Sequence, residues 1–140
     1  MRRYTTLNKN GKSDLAKAHK KLWEVFAVYI KERDKWTCIT CGKQGRGSSM
    51  HAGHYTPRAH NSLRYDERNV HAQCVGCNMF AEGRYDVYAL KLIDLYGPNI
   101  LTDLAKTKNE IKKYTIQELV LLTLVYKQKL ADLSTDSLDS

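Results

Sequence analysis

The chain has 140 residues, of which 42% are hydrophobic, the length of one domain with enough apolar side chains for a small core. Its formal net charge of +8 and pI of about 9.3 call for an anionic partner, nucleic acid or an anionic membrane surface. The longest apolar run, 119–126, is too short to cross a bilayer and no segment resembles a signal peptide, so a cytoplasmic protein with no membrane span is expected.

Residues 1–12 are polar and basic, with Arg2, Arg3, Lys9 and Lys12, and are expected to form a flexible arm. Ser13 can cap a helix whose first turn carries Asp14, and Leu15, Ala18, Leu22, Val25, Phe26, Tyr29 and Ile30 recur at helical spacing to about Asp34. The opposite face holds Lys17, Lys20, Lys21 and Lys31, a solvated or a phosphate-facing surface. Trp36 and Thr37 lead into Cys38-x-x-Cys41, and Gly42 directly after it suits a tight metal knuckle. A loop over 43–48, a strand over 49–55, a basic loop over 56–66 and a short strand over 68–72 follow. Cys74-x-x-Cys77 opens a helix expected to run from Val75 to about Glu82, where Gly83 interrupts it.

The rest reads as helices. Residues 85–96 form one, with Val87, Leu90, Ile93 and Leu95 or Tyr96 on the buried side and Gly97-Pro98 as the stop. Residues 99–106 form a short second one. Thr115-Ile116-Gln117-Glu118 is a capping box that starts a last helix to about Leu133. Its stripe of Ile116, Leu119, Val120, Thr123, Tyr126 and Leu130 is widened by Leu121, Leu122 and Leu124. That width fits either packing between two neighbouring helices or a homodimer seam. Residues 134–140 are expected as a disordered tail. The expected organisation is a single domain over 13–133, with a zinc-pinned core at about 37–83 and C-terminal helices over 84–133.

All four cysteines fall in the two Cys-x-x-Cys pairs, and in a reducing compartment that spacing favours one tetrahedral Zn²⁺ over disulfides. Cys38, Cys41, Cys74 and Cys77 would then be a closed structural site that pins the segment between them. His54 ends the first strand, and its imidazole suits proton abstraction from water at neutral pH. Asn78 supplies a carbonyl oxygen fit for Mg²⁺ or Mn²⁺, and the two are expected to face each other. Together these parts suit metal-assisted hydrolysis of a phosphodiester. Arg58, Arg64, Arg68 and Arg84 make a basic rim for phosphates. His51 has the wrong parity to join His54 unless the strand bulges at Gly53, and His71 suits a structural role.

The order of these residues resembles the HNH, or ββα-metal, endonuclease motif in its four-cysteine zinc form. His54 matches the general-base histidine, Asn69 the asparagine that braces the hairpin loop, and Asn78 the final position of the motif. The wider pattern Tyr29-Ile30-x-x-Arg33-Asp34, Cys38-Ile39-x-Cys41-Gly42, Ala52-Gly53-His54-Tyr55, Leu63-Arg64-Tyr65 and Asn69-x-His71-x-Gln73-Cys74-x-x-Cys77-Asn78 resembles the phage NinG/Rap recombination endonucleases. Tyr88, Leu92-Ile93 and Gly97 extend it. The resemblance implies a structure-selective endonuclease of branched intermediates such as D-loops and Holliday junctions. Many HNH enzymes carry a further metal ligand just before the general base, where this chain has Gly53. Glu82, four residues after Asn78 on the expected helix, is a candidate to fill that gap.

The expectation is therefore a small α+β fold, a zinc-stapled ββα hairpin flanked by an N-terminal helix and a helical C-terminal half. Its function would be cleavage of branched DNA, with a homodimer serving symmetric junctions. The rivals are a non-catalytic zinc module that binds branched or single-stranded DNA, and an HNH nuclease of linear duplex.

Overall fold

The computed structural model describes residues 13–139, with side chains as far as Thr135; the expected arm over 1–12 lies outside the described residues. Helix α1 spans Asp14–Arg33. It starts where expected because the Ser13 Oγ accepts the Ala16 amide at 3.0 Å. Strands β1, Met50–His54, and β2, Val70–Cys74, form a two-stranded antiparallel sheet. Helices α2, Tyr85–Tyr96, α3, Ile100–Lys108, and α4, Ile116–Asp139, complete the order. No helix among the described residues is long and apolar enough to cross a membrane.

The fold is mixed α+β, helical with one small sheet, and it groups into two compact units. One is Ile30–Lys113; the other joins the described residues up to Tyr29 with those from Tyr114 onward. The division is one of packing and does not bear on the single domain expected over 13–133. It falls inside α1, and it sets α2 and α3 with the hairpin rather than with α4.

In the unit Ile30–Lys113, two apolar clusters flank the hairpin. Cys38, Met50, Ala72, Cys74 and Cys77 form the first, with Trp36 against it. Leu63, Tyr88, Leu92, Ile100 and Leu104 form the second. The buried residues of α2 are Tyr88 and Leu92, and Leu90, expected inside, is 63% exposed. The helix is turned this way because the Tyr88 hydroxyl reaches across to donate to the Gly53 carbonyl at 2.7 Å. Gly97 adopts φ +97 at the end of α2, the conformation that made it a stop signal.

The last turn of α1 is latched to β2. The Arg33 guanidinium donates to the carbonyls of Glu67 (2.9 Å) and Val70 (2.8 Å). It also pairs with Asp34 at 2.7 Å, and the Asp34 carboxylate accepts the Ala72 amide at 2.8 Å. These are charge-assisted bonds to a partly buried edge, the stronger kind.

Two elements depart from expectation. The helix foreseen from Val75 to Glu82 is a short π-helical turn, Gly76–Phe80. It is closed by the Ala81 amide on the Gly76 carbonyl and the Gly83 amide on the Cys77 carbonyl, both 2.8 Å. Strand β2 begins two residues later than expected, because Arg68 is held in a turn: its amide donates to the Asp66 carboxylate at 2.9 Å.

In the other unit, Phe26 and Tyr126 meet edge to face at 4.8 Å between ring centroids, and Tyr29 tilts against the same ring at 5.3 Å. The Thr115 Oγ1 accepts the Glu118 amide at 3.1 Å, one half of the expected capping box. Helix α4 then continues to Asp139, so the segment after Leu133 is helical where a tail was expected. Leu119 and Tyr126 are buried, whereas Val120, Leu121, Leu124 and Val125 are exposed.

Candidate metal centre and hairpin site

The four cysteines come together from two turns. Cys38 and Cys41 lie on the knuckle after α1, closed by the Gly42 amide on the Cys38 carbonyl at 2.9 Å with Gly42 at φ +79. Cys74 ends β2 and Cys77 lies in the π-helical turn. Their sulfurs all lie within 4.8 Å of one another, and Cys41 Sγ is 3.7 Å from Cys74 Sγ. A tetrahedral ion with metal–sulfur bonds of about 2.3 Å sets its sulfurs roughly 3.8 Å apart, so the cluster fits a metal such as zinc. None of the four is in a disulfide.

The thiols resist sharing negative charge. Burial raises Cys38, but bonds from the Thr40 hydroxyl and nearby backbone amides outweigh it and bring the thiol down to about 6. Cys41 is pushed up to about 12 by desolvation and by its three sulfur neighbours, and Cys74 is raised by burial first. A divalent cation reverses this, because it rewards every thiolate at once.

His54 is half-buried at the end of β1, and its Nε2 lies 2.9 Å from the Arg64 carbonyl. Donation to that carbonyl fixes the tautomer in which Nδ1 is the basic nitrogen. Burial lowers its pKa; the Arg64 carbonyl opposes the shift, and the charges of Arg58 and Arg64 add to it.

Asn69 is fully buried inside the loop 55–69. Its Oδ1 accepts the Thr56 amide at 2.8 Å, and its Nδ2 donates to the carbonyls of Thr56 (2.9 Å) and Leu63 (3.2 Å). Asn69→Ala would leave these backbone groups without partners in a dry site. We expect a loss of about 3 kcal/mol, read as a lower urea midpoint at unchanged slope; an unchanged midpoint would count against the brace.

Asn78 and His54 are not joined. The Asn78 Nδ2 lies 3.0 Å from the Nδ1 of His51. Pairing of β1 with β2 is one to one, from Met50 with Cys74 to His54 with Val70, so no bulge occurs at Gly53. His51 and Gly53 therefore share one face of the sheet, and His54 lies on the other. Glu82 sits in the turn after the π-helical segment with φ +54, so the helical spacing that placed it below Asn78 does not hold.

The four arginines have different surroundings. Arg58 is exposed. The Arg64 guanidinium lies over the Tyr65 ring at 5.6 Å. Arg68 is paired with Asp66 at 2.7 Å, which offsets its charge. Arg84 turns to the Cys77 sulfur at 3.8 Å.

Three contributions are read in the sequence only as members of the family pattern, His71 also as a structural residue. The Arg33–Asp34 latch is one, hidden because adjacent opposite charges look like surface. Gln73, fully buried, is the second. The third is the bond network of His71, whose Nδ1 lies 3.2 Å from the Tyr88 hydroxyl and whose Nε2 lies 2.7 Å from that of Tyr96. Burial, helped by Arg33 and opposed by Asp34, brings His71 down to about 4. A histidine depressed in the fold supports it fully above the unfolded pKa of about 6.5 and loses that support as pH falls toward 4. Parent protein should therefore lose roughly 3 kcal/mol between pH 7 and 4 beyond what a His71→Gln variant loses. Parallel stability curves would contradict this.

These features define a small α+β protein whose hairpin is clipped by a four-cysteine centre fit for a metal ion. The chain belongs to the phage NinG family: the family model described as "Bacteriophage Lambda NinG protein" matches residues 2–136. The "Protein ninG" of Escherichia phage 933W is 35% identical over 116 residues, covering 81% of this chain and 57% of the relative. Those of Escherichia phage lambda, 35% identical, and Salmonella phage P22, 34% identical, are each matched over 81% of this chain and 56% of their own length. The chain thus spans little more than half the length of these relatives. No solved structure matches it.

Proposed function

We propose that the chain is a metal-dependent endonuclease of the HNH type that cuts DNA phosphodiesters at branched intermediates such as D-loops and Holliday junctions. The observation that carries the reading is His54. It is a half-buried imidazole oriented by the Arg64 carbonyl and flanked by the charges of Arg58 and Arg64. A base held neutral beside two guanidiniums can take a proton from water where a phosphate docks. Asn69 supports this by holding closed the loop that carries the Arg64 carbonyl. The four-cysteine centre supports it by fixing both ends of the hairpin. A divalent cation, Mg²⁺ or Mn²⁺, held by Asn78 on the His51 side of the hairpin would add charge stabilisation to phosphate bound there.

Of the rim, Arg58 and Arg64 carry most of the phosphate contact, since Arg68 is paired with Asp66. A four-way junction has two-fold symmetry, so paired cuts call for two copies of the chain, seen as a dimer in sedimentation. The test is a panel of equal-length substrates, namely duplex, flap, D-loop and four-way junction, each with Mg²⁺ or Mn²⁺. Cutting confined to branched forms supports the reading. Binding to every branched form without any cutting replaces it with a DNA-binding module, and preferred cutting of plain duplex removes the structure selectivity.

A further inference from the structure

Gly53 stands where a further metal ligand would be expected, and the amide side chains of Gln73 and Asn78 surround it. A Cβ added at Gly53 would overlap the Oε1 of Gln73 and stand 3.2 Å from the Oδ1 of Asn78. Two amide oxygens thus converge over one bare backbone position. Gln73 pairs with His51 in the sheet and is fully buried. Its Nε2 donates to the Gly83 carbonyl at 2.8 Å and to the Thr40 Oγ1 at 3.3 Å. That fixes which way the amide points, and it leaves Oε1 buried with no hydrogen-bond partner. An orphaned acceptor of this kind costs free energy unless a donor or a cation meets it.

Asn78 is oriented in the same manner. Its Nδ2 lies 3.0 Å from the His51 Nδ1, so Oδ1 is the atom left to face Gly53. Both amides are pinned by their nitrogen ends, and both present oxygen to the same space. Oxygen acceptors attract a cation and repel a phosphate. Neutral amide oxygens are hard ligands that suit Mg²⁺ or Mn²⁺.

We propose that Gln73 Oε1 and Asn78 Oδ1 form the divalent-cation site over Gly53, with His51 as the positioning residue that turns Asn78 toward it. This rests on the nuclease reading for its purpose, though not for its geometry. Gly53 is then not a missing ligand but the clearance that lets a buried glutamine serve. With no carboxylate in the shell the site is weak alone, and phosphate oxygens of bound DNA complete it, so cation and DNA bind with positive coupling. The Thr40 hydroxyl, 3.3 Å from both Gln73 Nε2 and Cys38 Sγ, ties this site to the sulfur centre.

The test is Mn²⁺ titration of the zinc-loaded protein, followed by the loss of the free-ion EPR signal, without DNA and with a four-way junction. Asn78→Asp replaces a neutral oxygen with a charged one and should bind Mn²⁺ about tenfold tighter than the parent. Gly53→Ala should bind at least about tenfold more weakly, with zinc content and near-UV circular dichroism unchanged. If Gly53→Ala does not fold, Asn78→Asp decides alone. Equal Mn²⁺ binding by parent and Asn78→Asp overturns the site. So does an Asn78→Asp variant that melts lower and binds no Mn²⁺, because the Asn78 amide would then be donating to Gln73 Oε1. Tight Mn²⁺ binding by Asn78→Asp with no DNA cut by the parent keeps the site and removes the nuclease reading. Cleavage with no Mn²⁺ response at Asn78 removes the site and keeps the nuclease.

Discussion

Cys77→Ser is expected to release the bound metal and abolish cooperative folding of the unit Ile30–Lys113. Cys38, Cys74 and Cys77 are themselves members of the apolar cluster with Met50 and Ala72, so the sulfurs are both ligands and core. Apparent binding energies for structural zinc are about 10–16 kcal/mol at neutral pH. That matches or exceeds the whole stability of a typical domain, about 5–15 kcal/mol. Without the ion, two turns and a two-stranded sheet must close on apolar burial and on bonds such as the Arg33–Asp34 latch, while Cys41 and Cys74 keep their protons. The checks are metal content by elemental analysis, near-UV circular dichroism and a urea transition. Excess chelator on the parent protein should reproduce the variant. A variant with the parent's urea midpoint would show that the cluster is not a folding centre.

His54→Ala should lower the rate of DNA cleavage about 10²- to 10⁴-fold, the range for loss of a general base, with little change in DNA affinity. The variant keeps Arg58 and Arg64, so phosphate binding remains. The pH dependence carries the sign of the reaction. A general base works when unprotonated, and burial, with the two arginines, holds His54 below the usual imidazole value near 6.5. Cleavage should therefore rise with pH on a limb centred below about 6.5 and be level at neutrality. Arg58→Ala removes one of the charges that lower His54, so its limb should move upward toward 6.5. Parent-like cutting by His54→Ala would end the mechanism proposed for this site.

Much of the frame could be read before the structure. Ser13, Thr115 and Gly97 punctuate helices through single atoms or one φ angle, and such signals are local. The cysteine spacing announced the cluster for the same reason, since a metal constrains few residue types. What escaped reading depended on tertiary context. The turn at Gly76–Phe80 is π-helical because Gly83 and Ala81 close it from outside, and that put Glu82 off the expected face. In sequence Arg68 reads as part of a rim, and its pairing with Asp66 depends on a turn that the sequence does not show. Gln73 lies outside the strand expected over 68–72 and appears only in the family pattern; its burial beside Gly53 makes it conspicuous. The parity argument that set His51 apart from His54 agrees with the unbroken register, yet its partner was to be found on its own face, in Asn78.

The cysteine cluster is also unequal in its exposure. Cys38, Cys74 and Cys77 are buried and Cys41 is exposed. An ion held there can be approached from one side only, through a single thiolate. Exchange of that ion should then be ordered in time, with Cys41 leaving first and the other three sulfurs following as a set. An incoming chelator or an oxidising reagent would act on Cys41 before the rest. The lifetime of the bound ion would thus be governed by how often one sulfur lets go, and the packing of the other three would govern how often it returns.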